Sequence, residues 1–394
     1  MGIQKTPYHS YKSGTLPRGC QLCVKGSKLV LFVTGLCSAH CYFCPISEKK
    51  YNKDVVYADE WPIKNDKELL EEARMIKAEG AGITGGDPLA RVERTARYIK
   101  LLKKKFGKKF HIHLYTPLNL VDENSLKRLY TSGLDEIRFH PSLEHKKNWL
   151  KITMARKYKW KVGVEIPVIP IKEKQIKELI DFIKGRVDFL NMNELEYSDT
   201  NASNLYKMGL KTRGGISYAI KGSHELALKL LKYANGKIKN AHYCTTRLKD
   251  AVQLANRIKR RAKNAAKDYD FINKEGMLIR GAIYLSSLKP GVGYRRKLEM
   301  LAKNKRAKIT KKLAVIKNQL KKDFKIKNNL IEIDKNKLRI LTSVKAVEGI
   351  KDKINEHILN NAGDKKLFKG KELYLAIVEE YPTWDQTEIS IEFL

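Results

Sequence analysis

Over the first two-thirds of the chain, apolar positions alternate between two periods. KLVLFVTG (28–35) is a continuous β-rich apolar run that stops at a glycine. NDKELLEEARMIKAEG (65–80) then places apolar residues at i, i+3 and i+4 and ends in Gly, which predicts a helix. The exchange repeats with strand-like runs at 81–86, 109–116, 134–141, 160–170 and 187–196. Helical stretches fall at 91–107, 123–133 and 172–185. This βα alternation predicts an α/β fold whose parallel strands are covered by helices and curl into a partial (β/α)6-type barrel. A further run at 238–243 is expected to close toward the first strand. Sites in such sheets lie at the C-terminal ends of the strands.

Beyond about residue 245 the pattern changes. Residues 246–269 read as a helix with a basic face and 276–287 as a strand. The stretch 294–324 reads as one long basic helix with Leu298, Leu301, Ile309, Leu313, Ile316 and Leu320 at helical spacing. The last 65 or so residues read as a small α+β unit: a hairpin turning at Asp334-Lys335-Asn336, a helix near 344–361, then two strand-like runs. Four segments are expected: 1–27, 28–245 (the barrel), 246–327 (basic and helical) and 328–394 (α+β).

Charge adds a constraint that the pattern lacks. In 394 residues, 79 Lys and Arg face 43 Asp and Glu, a formal net charge of +36. Such an excess favours polyanion partners, nucleic acid first. A lysine-rich thermophile surface is the bland alternative, but it usually carries Glu as well. No apolar run is long enough to span a membrane. The N-terminus, MGIQKTPYHSYKSG, has no apolar h-region. A cytoplasmic protein with no membrane association is expected.

Six cysteines are present, and in a reducing compartment clustered cysteines bind metal or act chemically more often than they pair. Cys37-Ser-Ala-His-Cys41-Tyr-Phe-Cys44 has the spacing C-x3-C-x2-C. Three thiolates on one tight loop can hold three irons of a cubane 4Fe-4S cluster and leave the fourth iron open for ligand. A zinc knuckle with His40 as fourth ligand is the alternative, although the adjacent His40 and Cys41 could hardly both ligate.

C-x3-C-x-aromatic-C after a first strand, with Phe43 in the aromatic slot, resembles the radical S-adenosylmethionine (SAM) superfamily. Gly85-Gly86-Asp87-Pro88 after the second strand resembles the family's GGEP motif, with Asp in place of Glu. The resemblance covers roughly residues 25–200. It implies that the motif's backbone binds the SAM amino group and that SAM chelates the open iron. An electron from the cluster would then break the sulfonium bond to give methionine and a 5′-deoxyadenosyl radical. That radical would take a hydrogen atom from the substrate. The stretches RGCQLCVKGSKLVLFVTGLC, ITGGDPL and FHIHLYT further resemble an uncharacterised archaeal subgroup related to pyruvate formate-lyase activating enzyme. Less direct SAM contacts are Arg138 and His140 (fourth strand), Glu165 (fifth), and Asn191, Asn193 and Glu194 (sixth). Glu165 and Asn193 lead because both interrupt apolar strands; the alternative for each is a polar residue satisfied inside the barrel.

Cys20 and Cys23 form C-x2-C before the first strand, and Cys244 follows His242 by two residues. With His242 they could hold a second iron-sulfur cluster or a zinc. Otherwise Cys244 is an apolar filler. The charge makes RNA, above all tRNA, the expected substrate, with an electron donor such as ferredoxin or flavodoxin. Activation of a protein or peptide is the alternative, and a non-catalytic metal-binding RNA-binding protein the third reading.

Overall fold

The computed structural model describes residues 2–359 and 373–394. Two compact units emerge, residues 1–257 and 258–394, where four segments were expected. The last residues of the helix expected to 361, and Glu372 of the following run, lie outside the described residues.

The first unit holds helix α1 (Arg18–Val24) and seven mutually parallel strands. These are β1 (Lys28–Phe32), β2 (Gly80–Thr84), β3 (His111–Pro117), β4 (Glu136–His140), β5 (Lys161–Val168), β6 (Phe189–Glu194) and β7 (Ala241–Cys244). They lie side by side in that order, so the expected parallel α/β sheet is present. Crossover helices α2 (Asp66–Met75), α3 (Val92–Phe106), α4 (Glu123–Thr131), α5 (Glu173–Ile183) and α6 (Ser223–Ala234) connect them. Local chemistry starts these helices. Asn65 accepts from the amides of Lys67 and Glu68 at the head of α2, and Asp122 with Ser125 forms a capping box on α4.

The run expected to close toward the first strand does not do so. β7 pairs parallel with β6, and its other edge takes the short strand Tyr11–Ser13 antiparallel. Hydrogen bonds that closure would need are thus spent on the N-terminal segment. At the opposite edge, Tyr57–Ala58 pairs antiparallel with β1.

Alternation along the strands sorts the side chains. Leu29, Leu31, Ile112, Leu114, Ile137, Phe139, Val162, Val164, Leu190, Met192 and Tyr243 belong to one apolar core with the helices. Many of the intervening positions are polar: Lys28, His113, Tyr115, Glu136, Arg138, Glu165, Asn191, Asn193 and His242. The sheet curls so that these converge, as the contacts of Arg138 with Tyr115 and Glu165 show. α1 packs against β1, β2 and β3.

The stretch expected as one helix from 246 begins with a short α-turn, passes through a π-helical turn at Lys249–Leu254 and continues as α7 (Ala255–Ala265).

The second unit is antiparallel. β8 (Leu278–Leu285) is its central strand, and the expected 294–324 helix is two: α8 (Tyr294–Glu299) and α9 (Lys303–Asp323). Ala302 is extended, and the Arg306 guanidinium donates to the Leu298 carbonyl at 2.8 Å, which caps α8. The hairpin β9 (Ile331–Asp334) and β10 (Arg339–Thr342) is followed by α10 (Val344–Leu359), β11 (Leu373–Glu380) and β12 (Glu388–Phe393). The sheet order is β9, β10, β8, β11, β12.

Candidate active site

A cavity of about 350 Å³ opens at the C-terminal ends of the strands. Cys37, Cys41 and Cys44 line it together with Phe43, Gly85, Gly86, Arg138, Glu165 and Asn193. Nine residues picked from five separated stretches of sequence therefore line one cavity. All three thiols are free and half-buried. Burial, then the neighbouring Cys37 and Cys44, pushes the Cys41 thiol up to about 12. Ionising these neighbouring thiols would require a cation against them, which is the chemistry of a metal site. No three of the His, Cys, Asp and Glu side chains among the described residues surround a single metal ion.

The cysteine loop is pinned from the far side of the barrel mouth. After β6, the Thr200 hydroxyl donates to the carbonyls of Cys44 (2.9 Å) and Ile46 (2.7 Å). The buried Asn201 amide donates to the Phe43 carbonyl at 3.0 Å. On the near side, the Gly35 amide donates to the Lys53 carbonyl at 2.8 Å. The Phe43 ring meets the His140 ring at 5.5 Å, and His140 itself lines the cavity.

The Gly85-Gly86-Asp87-Pro88 turn lies directly on that loop. Gly86 and Asp87 amides donate to the carbonyls of Thr34 (2.7 Å) and Leu36 (2.8 Å). A Cβ on Gly86 would stand 2.5 Å from the Leu36 carbonyl oxygen. The glycine thus serves the fit between two loops of the protein as well as any approach of ligand. Asp87 and Pro88 are buried and do not line the cavity. The Asp87 carboxylate accepts from the Leu89 amide (3.0 Å) and the Thr116 hydroxyl (2.8 Å), while its second oxygen is buried without a partner. Burial pushes this carboxyl up to about 6. Its place is behind the turn, holding the backbone, rather than at a ligand.

Arg138 organises the floor. Its guanidinium contacts Glu136 at 2.5 Å, Glu165 at 2.8 Å and the Cys20 sulfur at 3.4 Å. The Asn193 amide donates to the other Glu165 oxygen at 2.9 Å. Burial opposes the Glu165 charge, but Arg138 and Asn193 outweigh it and hold the carboxyl below its usual range. Asn191, one step deeper on β6, does not line the cavity. It is buried, and its Oδ1 accepts from His242 Nδ1 at 2.6 Å. The sequence reading offers it as a SAM contact; in the fold its side chain is held inside the barrel by His242. Glu194 reaches the lining but is held by Arg213 and the Thr246 amide.

Cys20, Cys23 and Cys244 lie below and beside this floor, outside the cavity lining. The sequence had offered them with His242 as a zinc or cluster site, and they form no mononuclear arrangement. Residues that the sequence did not flag also line the cavity: Tyr115, Thr116, Glu196 and Lys249. Lys249 pairs with Glu196 at 3.1 Å. It reaches the site from the π-helical turn, a feature frequent at functional sites and without a local sequence signature.

Comparisons with known proteins agree with this geometry. The model of the radical SAM superfamily matches residues 31–162, which span the cysteine loop and the GGDP turn. A Methanocaldococcus jannaschii protein named as a "putative glycyl-radical enzyme activating enzyme" is 46% identical over 275 residues, covering 68% of this chain and 73% of that protein. Among solved structures, methylornithine synthase aligns over 54% of this chain and 63% of its own at 13% identity and a TM-score of 0.38. Coproporphyrinogen III oxidase of Escherichia coli aligns over 85% and 92% at 11% identity and a TM-score of 0.31. By its cysteine loop and by its identity to the M. jannaschii protein, the chain belongs to the radical SAM superfamily.

Proposed function

We propose that this enzyme abstracts a hydrogen atom from a segment of a protein, in the manner of an activating enzyme for a glycyl-radical protein. The observation that carries this reading is the 46% identity to a relative of that name. The cavity, about 350 Å³ at the C-terminal ends of the strands, is open on one side, which lets a segment of a second macromolecule approach.

The family implies a 4Fe-4S cluster and SAM, and the residues fit them: Cys37, Cys41 and Cys44 would hold the cluster, with Gly85, Gly86, Arg138, Glu165 and Asn193 beside SAM. Held there, a reduced cluster would supply the electron for reductive cleavage of SAM. The protein's own contribution is positional. Thr200, Asn201 and the GGDP turn fix the cysteine loop from both sides. Glu165, ionised and held by Arg138 and Asn193, offers a fixed acceptor to hydroxyls or an amine. Phe43 and His140 wall the cavity from solvent. The reductant would be a ferredoxin or flavodoxin.

RNA is the second reading, favoured by one surface. Lys303, Lys305, Lys308, Lys311, Lys312 and Lys322 on α9 are exposed, and among the described residues none pairs with a carboxylate. Phosphates would relieve their mutual repulsion and make binding salt-dependent. A direct test gives the reduced enzyme SAM together with a soluble cell fraction pretreated with protease or ribonuclease. Stimulation of 5′-deoxyadenosine release that protease abolishes and ribonuclease spares supports the protein reading. The reverse pattern overturns it in favour of RNA.

A further inference from the structure

Cys20, Cys23 and Cys244 have no part in the chemistry above, yet the fold brings them together from 220 residues apart. Cys20 and Cys23 stand one turn apart on α1, so they share a face. Cys244 ends β7. The Gln253 side chain spans two of them: the Cys23 thiol donates to its Oε1 at 3.0 Å, and its Nε2 donates to the Cys244 sulfur at 3.7 Å. Gln253 sits on the π-helical turn Lys249–Leu254.

Each sulfur faces a cation. Arg138 donates to Cys20 at 3.4 Å, Lys28 hydrogen-bonds Cys23, and Lys249 acts on Cys244. Arg138 and Lys249 also have carboxylate partners, in Glu136, Glu165 and Glu196. Lys28 has none. It is 8% exposed; Cys23 hydrogen-bonds it, Tyr115 lies beside it, and Glu165 acts on it only at a distance, its oxygens being taken by Arg138 and Asn193. A buried ammonium with no contacting carboxylate is costly unless an anion sits against it. A second polar atom is also left over. His242 shares with Cys244 one face of β7, and its Nε2 is buried with no hydrogen-bond partner. Gly19 carries the fit of α1 to this place, since a Cβ there would stand 2.6 Å from both Arg138 and His113.

The group that answers these features is anionic and binds thiolates. We propose that Cys20, Cys23 and Cys244 ligate a second iron-sulfur cluster, distinct from that of Cys37, Cys41 and Cys44, with His242 as fourth donor. The Gln253 side chain gives way to it. Thiolate-ligated clusters carry net negative charge, and Lys28, Arg138 and Lys249 neutralise it. The proposal does not depend on which macromolecule is the substrate.

The test uses the full chain expressed and purified anaerobically. With Cys37, Cys41 and Cys44 all changed to Ala, iron and acid-labile sulfide should fall to about half of wild type, as for loss of one of two clusters of similar size. The remainder should give its own EPR signal on reduction. Absence of residual iron and sulfide overturns the proposal, and so does zinc in their place. Adding Cys20→Ser and Cys23→Ser should remove the remainder; iron that persists also overturns it. Lys28→Met leaves every thiol intact and covers the case in which the serine variants fail to fold. Loss of the ammonium should lower the reduction potential of the residual cluster, and an unchanged potential overturns its placement beside Lys28.

Discussion

The two cysteine triads are built from the same residue type and differ in nearly everything else. Cys37, Cys41 and Cys44 lie within eight residues of chain on a half-buried loop that lines a cavity. Their sulfurs meet backbone amides and each other. Cys20 and Cys244 are buried, and their set draws on two ends of the first unit and is ringed by Arg138, Lys28 and Lys249. The first triad is a local motif that tertiary structure only steadies. The second exists only because α1 is packed against the polar inner face of the sheet. A catalytic metal needs an open coordination position and access for ligand, which suits a loop at the barrel mouth. A buried set ringed by cations suits a centre that stores or balances charge.

Arg138 is where the two environments meet, so its loss should have the largest effect. Arg138→Met leaves Glu136 and Glu165 buried without their partner, and breaking such a pair costs about 3–5 kcal/mol. Thermal unfolding of the variant should show that loss, and both metal contents should fall together. A variant as stable as wild type would separate the two sets. Asn201→Ala should act on the first triad alone. Deleting the donor to the Phe43 carbonyl should cost about 1–3 kcal/mol and lower the iron bound by the Cys37 loop. Iron retained by the Cys37, Cys41, Cys44 triple alanine variant should not change when Asn201→Ala is added.

Reading the first triad from sequence works because its information is short-range. Spacing gives C-x3-C-x2-C, and Gly85-Gly86 follows a strand that the apolar run announces. Alternation of apolar and polar positions also marks Glu165 and Asn193 as intrusions into strands, and both face the cavity. Asn191 carries the same signal and does not line it, because depth along a strand cannot be read from period two. Thr200, Asn201 and Lys249 are polar residues in polar surroundings, and only the folded chain shows what they touch. The break between α8 and α9 is hidden likewise: Leu298 and Leu301 keep the helical period through it, while the Arg306 cap that ends α8 comes from eight residues on.

Asp87 gives a pH-dependent way to sharpen the contrast, on the first triad's side. Its folded carboxyl titrates near 6, above the usual carboxylate value, so its stabilising effect is complete at low pH and is lost as pH rises through about 6. Asp87→Asn keeps an acceptor for Leu89 and Thr116 and carries no charge. It should therefore be less affected, gaining about 1–2 kcal/mol over wild type between pH 4 and 7. Parallel melting curves across that range would contradict the burial assigned to Asp87. The smallest effect belongs to the second triad. In the metal-free protein Gln253→Ala removes two contacts to sulfur and should cost about 0.5–1 kcal/mol, and in the loaded enzyme SAM cleavage should be unchanged because Gln253 does not line the cavity.

The central claim is that radical chemistry depends on the Cys37 loop. Anaerobic incubation of the enzyme with SAM and a strong reductant, followed by quantification of 5′-deoxyadenosine, tests it most directly. The wild type should release 5′-deoxyadenosine, and Cys37→Ala, Cys41→Ala and Cys44→Ala should each abolish the release. Continued SAM cleavage by the triple alanine variant would contradict the account.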